Sequence, residues 1–297
     1  MPPSTPSLEQ LRQRIDRIDD AVHDLLMERA EIVKQVGTLK DAAGPALRPA
    51  REAAILRRLV ARHRGDLPVA VLLRMWRELI SGLTQMQGRF GVAVYAPEDR
   101  RGFWDVARDH FGSFTPMTVV NTPVAAVRAV TEGTAAVAVV PFPAEDDIDP
   151  WWRFMNGGDE RSPHVVARLP FLGRGNGRGV SRDALAIALL PHEPTETGGE
   201  SLVADRTLIR LEVNDDLSRG RLKDALEAVG LPPLSFCSWL GRHGAASVHL
   251  VEIAGFVGTG DPRLAGCVKR LAPLPVRINT MGGYAEPLNL TPDGRKP

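Results

Sequence analysis

Leu11-Arg12-Gln13-Arg14-Ile15-Asp16-Arg17-Ile18-Asp19, continued by Leu25-Leu26-Met27-Glu28-Arg29 and Val36-Gly37-Thr38-Leu39-Lys40, is the stretch on which the fold turns. From Leu8 the apolar residues fall at Leu11, Ile15, Ile18, Val22 and Leu25, alternating steps of three and four, and resume at Ile32, Val36 and Leu39. That spacing predicts one long helix. Ser7 can cap it while Gln10 reaches back, acidic Glu9 suits the positive first turn, and the helix should end between Asp41 and Pro45. About 33 residues at ~1.5 Å each make a rod of roughly 50 Å, longer than a small domain is wide. Such a rod calls for a partner helix, from another subunit if not from its own chain.

A second helix is expected from Pro49 to about His63, stopped by Gly65, and a third from Pro68 to about Gln87, followed by Gly88. Residues 7–88 therefore read as all α. They hold fourteen Lys and Arg against eleven Asp and Glu, so the basic excess of the chain sits on these helices. The whole chain of 297 residues is 43% hydrophobic and 25% charged with a formal charge of +1. These values fit a globular protein of more than one domain and give no field that argues for nucleic acid or an anionic membrane as partner. Cys237 and Cys267 have no C-x-x-C spacing, so neither a disulfide framework nor a zinc site is indicated. No basic leader precedes an apolar run, and no run approaches the ~20 residues that span a bilayer. A cytoplasmic protein is expected.

After Gly88 short β-rich runs alternate with helical ones: Gly91 to Tyr95, helix Phe103 to Phe111, Met117 to Val120, helix Pro123 to Glu132, Ala135 to Val140. This β-α-β-α-β order continues less clearly through Val165 to Leu169 and Ala184 to Leu190, separated by the glycine-rich Gly173 to Gly179. A linker with Pro191, Pro194, Gly198 and Gly199 follows. From Thr207 the order becomes strand (to Val213), helix (Arg219 to Val229), strand (Leu234 to Trp239), strand (Val248 to Ile253), helix (Pro262 to Leu271) and strand (Val276 to Asn279), the ferredoxin-like β-α-β-β-α-β pattern. Three units are expected, at residues 1–88, 89–203 and 204–290, with a disordered tail at 291–297.

On the first helix Arg29 and Lys40 are eleven residues apart, within about 20° of one face and roughly 16 Å along the axis, so they could bracket a small anion. Arg12 lies seventeen residues before Arg29, about 100° away, and suits a pocket in a partner subunit better than the same pocket. Spacing alone favours solvated surface charges.

The ordered set L-R-x-x-I-D (Leu11 to Asp16), Glu28-Arg29, Lys40, Arg48-Pro49-Ala50-Arg51-Glu52, Trp76-Arg77-Glu78-Leu79-Ile80-Ser81 and Gln87 resembles the all-α chorismate mutase family, over nearly the whole helical segment. The resemblance implies an intertwined helical homodimer. It also implies that Arg12 enters the other protomer's site, that Arg29 and Lys40 hold substrate carboxylates, and that Glu52 meets the ring hydroxyl. Lys40 and Gln87 would contact the ether oxygen, and Arg51 would anchor substrate or orient its neighbours. One turn before Gln87, where the family often has a small hydroxyl or thiol residue, stands Leu83, and Ser81 does not share that face. The implied reaction, chorismate to prephenate, is a unimolecular pericyclic rearrangement that requires no cofactor or metal. It is helped by arginine forks that restrict the conformer and by positive charge at the developing oxyanion.

The remaining segments resemble a shortened prephenate dehydratase followed by its ACT domain. Asn121-Thr122-Pro123-Val124 through Val139-Val140-Pro141 is similar to the dehydratase run that ends in a P-I-E-N-type motif. Here Phe142 and Pro143 replace its end, and no T-R-F tripeptide occurs. Gly220-Arg221-Leu222, Cys237-Ser238-Trp239-Leu240 and Gly282-Gly283-Tyr284 stand where the ACT family has G-A-L, an E-S-R-P-like turn and a closing G-S-Y. The ACT resemblance implies an aromatic amino-acid effector, with structural support of a dimer as the plainer role. The alternatives to a mutase are a bifunctional mutase and dehydratase, and a non-catalytic amino-acid-sensing scaffold. The loop Gly173 to Gly179 lacks the Lys-Ser/Thr of a phosphate loop, the seven histidines show no H-E-x-x-H spacing, and Trp151-Trp152 read as core or interface.

Overall fold

A computed structural model describes residues 6–39, 46–159, 162–173, 183–191, 193–195, 205–213, 217–241 and 246–289. The helical segment consists of α1 (Leu8–Leu39), α2 (Pro49–Arg62) and α3 (Val69–Met86). The predicted cap of α1 is present. Gln10 N–H donates to Ser7 Oγ at 3.2 Å and Ser7 N–H to Gln10 Oε1 at 2.8 Å, so two otherwise unpaired amides at the helix start are satisfied reciprocally. Pro49 opens α2 and Pro68 precedes α3, where a missing N–H costs nothing.

The next elements are β1 (Val92–Tyr95), α4 (Gly102–Phe111), β2 (Met117–Val120), α5 (Pro123–Thr131) and β3 (Val137–Pro141). They form a parallel β2-β1-β3 sheet. Alternation sets its two faces: Val92, Val94, Val137 and Val139 pack with Phe103, Val106 and Phe111 of α4. Ala93, Ala138 and Val140 face α5 together with Trp151 and Trp152, both buried. Thr122 caps α5 by accepting from the Ala125 N–H, and Pro123 fills its first turn.

The regular alternation stops there. β4 (His164–Leu169) and β5 (Ala184–Ala188) form an antiparallel pair, with β5 against β3. The last elements are β6 (Asp205–Val213), α6 (Arg219–Glu227), β7 (Pro233–Trp239), β8 (Ser247–Ala254), α7 (Pro262–Leu271) and β9 (Val276–Ala285). Their antiparallel order β9-β6-β8-β7 is the ferredoxin-like arrangement, with α6 and α7 over the core of one face.

β9 is longer than the sequence pattern indicates: it runs through Gly282-Gly283-Tyr284 rather than ending at Asn279. The extension joins the two half-sheets, because Val165 of β4 pairs in parallel with Gly282 and makes one nine-stranded sheet. Gly282 has φ +96°, and a Cβ there would stand 2.3 Å from the Val165 carbonyl oxygen, so this crossing requires glycine. The expected boundary at residue 203, most of the loop Gly173 to Gly179, Gly198, Gly199 and the tail 291–297 lie outside the described residues.

α2 and α3 do not close their core alone. Ala53, Leu56, Val60, Val69, Leu73 and Ile80 pack with Phe171, and Leu172, Ala285 and Leu288 lie against the same cluster. α1 is different: Leu8, Leu11, Ile15, Ile18, Val22, Leu25, Ile32 and Val36 are all exposed. Among the described residues no helix is long and apolar enough to cross a membrane.

Candidate active site

Arg29 lies on the face of α1 formed by Leu26, Ala30, Val33 and Gly37, the half-buried stripe of an otherwise exposed helix. This face meets α3, and a Cβ on Gly37 would stand 3.7 Å from Cγ of Gln87. Arg29 Nη1 is buried with no hydrogen-bond partner among the described residues, and burial pulls its pKa below the ordinary arginine value. An unsatisfied buried guanidinium nitrogen is costly and suits an anionic ligand. Gln87 is half-buried at the C-terminus of α3, and its Nε2 reaches the Leu83 carbonyl at 3.4 Å. Leu83 is buried as an apolar side chain.

Glu52, in the first turn of α2, is buried and accepts from Arg77 Nη1 of α3 at 2.9 Å. Burial pushes its carboxyl above the usual range, and the Arg77 charge and hydrogen bond oppose that push. Arg77 packs over the Phe171 ring, 5.2 Å from its centroid. His110 of α4 is buried and unpartnered at Nδ1, and burial with the nearby Arg77 charge pushes its pKa far below the ordinary value, so it is neutral. Reading by resemblance assigned no role to Arg77, although a signal was present: on α3 the sequence Val69, Leu73, Arg77, Ile80, Thr84 puts a cation in the middle of the apolar face.

The described site residues derived from the sequence are thus spread over the three helices. Gln87 lies against Gly37 at the α1–α3 seam, Arg29 is on the same half-buried face of α1 about two turns before Gly37, Glu52 faces Arg77 between α2 and α3, and Arg12 is exposed far along α1. Arg51 is exposed at the start of α2, and Lys40 lies outside the described residues, three positions beyond Gly37.

The three-helix segment thus offers, among the described residues, an unpartnered buried guanidinium nitrogen and a buried, ion-paired carboxylate, a setting whose chemistry suits a small anion. The comparisons narrow it: residues 11–88 match the family model of chorismate mutase type II. The bifunctional chorismate mutase/prephenate dehydratase of Stutzerimonas stutzeri is 32% identical over 144 residues, 45% of this chain and 38% of the relative. The protein of the same name from Pseudomonas aeruginosa is 33% identical over 139 residues, 44% of this chain and 36% of the relative. The chain thus spans under two fifths of the length of these curated relatives. A solved prephenate dehydratase from Arthrobacter aurescens, in complex with L-Phe, covers 69% of this chain and 94% of its own, at 12% identity and a TM-score of 0.45.

Proposed function

We propose that the helical segment catalyses the rearrangement of chorismate to prephenate in a site completed by a second copy of the chain. The observation that carries this reading is the buried Nη1 of Arg29, unpartnered among the described residues and within the segment that matches the family model. Arg29 holds a substrate carboxylate, and Lys40, three residues past Gly37 in the sequence, holds a carboxylate and faces the ether oxygen together with Gln87. Glu52 meets the ring hydroxyl, Arg51 anchors substrate, and Arg12 enters from the partner protomer. As the C–O bond breaks and the new C–C bond forms, charge grows on the ether oxygen. A fixed ammonium and amide stabilise that charge more than the ground state. Because the rearrangement is unimolecular, the remaining contribution is to hold the conformer that brings the enolpyruvyl carbon over the ring.

We read residues 89–203 as a shortened dehydratase-like unit, residues 204–290 as an ACT-like unit and the setting as cytoplasmic. A second reading, mutase plus dehydratase, is favoured by the two activities named for the bacterial relatives alone. The test is chorismate consumption with the product identified. Prephenate alone supports the mutase, phenylpyruvate at neutral pH supports the second reading, and no turnover favours a non-catalytic scaffold. Lys40→Ala should lower kcat by about 10²- to 10³-fold, the loss typical of one oxyanion-stabilising group. For the ACT-like unit the expected effector is an aromatic amino acid. Calorimetry showing no heat with phenylalanine, tyrosine or tryptophan would leave it a structural role.

A further inference from the structure

We propose that Phe171, a residue of the second segment, completes the mutase site by holding the Arg77 guanidinium, and that Arg77 is the positioning residue for the Glu52 carboxylate. The inference rests on the mutase reading above and adds to it a residue 83 positions beyond the end of the matched family segment.

Arg77 is a cation on the apolar face of α3, 7% exposed, and Glu52 is 8% exposed. A buried guanidinium of this kind persists only if its neighbours fix it. Its neighbours come from two directions. Glu52 Oε2 accepts from Nη1 at 2.9 Å on the α2 side, and the Phe171 ring covers the guanidinium at 5.2 Å on the other. His110, packed near the pair from α4, is neutral and does not compete for the carboxylate. Beside the pair a cavity of about 40 Å³ is lined by Leu56, Leu73, Val106, His110 and Phe171, so the guanidinium would have room to shift if the ring were removed.

The seam that carries Phe171 is itself tied down. Arg74 of α3 donates to both carboxylate oxygens of Asp109 at 2.8 and 2.9 Å, and Glu78 accepts from the Ser113 N–H at 2.9 Å. Gln85 Nε2 donates to Thr115 Oγ1 at 3.1 Å. α3 is thus tied to α4 and the loop after it by polar contacts over about three turns. The charged and titratable groups facing the Glu52–Arg77 pair are therefore His110 and the Arg74–Asp109 pair. The Arg48 backbone adds a hydrogen bond that favours the charged carboxylate.

The test uses the full chain and the variants Phe171→Leu, Phe171→Trp, Arg77→Lys and the double variant Phe171→Leu/Arg77→Lys. Two readouts are taken: kcat and KM for chorismate, and titration of the Glu52 carboxylate by infrared difference against Glu52→Gln. Phe171→Leu should lower kcat about five- to tenfold with KM within about twofold, and should displace the Glu52 titration. Phe171→Trp should restore both. Because the two residues act in series, the double variant should lie within about twofold of Arg77→Lys alone. Leu288→Ala, in the same apolar cluster and outside the Arg77 contacts, should lower the melting temperature and leave kcat within about twofold. If Phe171→Leu lowers only the melting temperature, with kcat and the titration at wild-type values, its role is packing and the proposal is overturned. If the wild-type chain does not turn over chorismate, the mutase reading fails. The infrared titration still decides the link, a displaced curve upholding it and an unmoved one overturning it.

Discussion

Arg77 shows how much of this molecule depends on single buried charges. Once Glu52 and Arg77 are both out of water, each is stable only because of the other: the ion pair offsets part of the desolvation cost, and removing one member leaves the second uncompensated. Arg77→Met should therefore destabilise the chain by about 3–5 kcal/mol in urea titrations, far more than a surface Arg→Met change, which usually stays within about 0.5 kcal/mol. The histidines add a pH dependence of definite sign. His249 is buried beside Ser238 Oγ at 2.8 Å, and burial with the Arg219 charge pushes its pKa down to about 4; His110 is pushed down for the same reason by Arg77. The unfolded chain binds protons at these residues from about pH 6.5, so it holds more protons than the folded chain below that pH. Stability contributed by the neutral rings is present above about pH 6.5 and is lost as pH falls, for His249 down to about pH 4. Urea midpoints at pH 7.5 and 5.0 should show the loss, and His249→Gln should make it smaller.

At the scale of the element, α1 is a 32-residue helix whose apolar stripe has almost nothing of its own chain against it. Ile15, Ile18 and Leu25 are 57%, 61% and 63% exposed, an arrangement that a lone chain in water does not favour and that a second helix would cover. On the proposed dimer, Ile18→Asp should give a monomer by sedimentation velocity and remove the proposed mutase activity, because Arg12 would no longer reach a partner's site. β9 makes a different prediction. Its Gly282 must hold a positive φ while the β4 backbone approaches closely, so Gly282→Ala should destabilise the chain by at least ~1–3 kcal/mol and separate the half-sheets before either unfolds. Hydrogen exchange at Val165 and Tyr284 would report that opening.

Across the whole molecule, what the sequence made legible was what local periodicity controls. The three N-terminal helices, the parallel β2-β1-β3 unit and the β-α-β-β-α-β order of the last segment all follow from spacing, caps and turn residues. Contacts between segments were not legible. Glu52 and Arg77 are 25 residues apart and meet only because α2 and α3 pack together; Phe171 then arrives from a loop after β4. Gly282 and Gly283 fall beyond the strand that the sequence pattern indicates, which ends at Asn279, and Gly282 is in fact the crossing point of the sheet. The candidate site residues Arg12, Arg29, Lys40, Arg51, Glu52 and Gln87 were nameable from the sequence through the resemblance they carry. Their arrangement was not legible, because Arg29, Glu52 and Gln87 lie on or at the end of three different helices. Since Phe171, Leu172, Ala285 and Leu288 complete the α2–α3 core, a chain ending at residue 88 should melt well below the full protein by circular dichroism.

The central claim is a mutase site shared between two protomers, and mixing two inactive variants tests it most directly. Arg12→Ala and Arg29→Ala should each lack chorismate turnover. After subunit exchange, half of the dimers would carry both defects in one site and none in the other, so the mixture should regain roughly a quarter of wild-type activity. No recovery from a mixture shown to exchange subunits, with the wild-type protein active, would contradict the account.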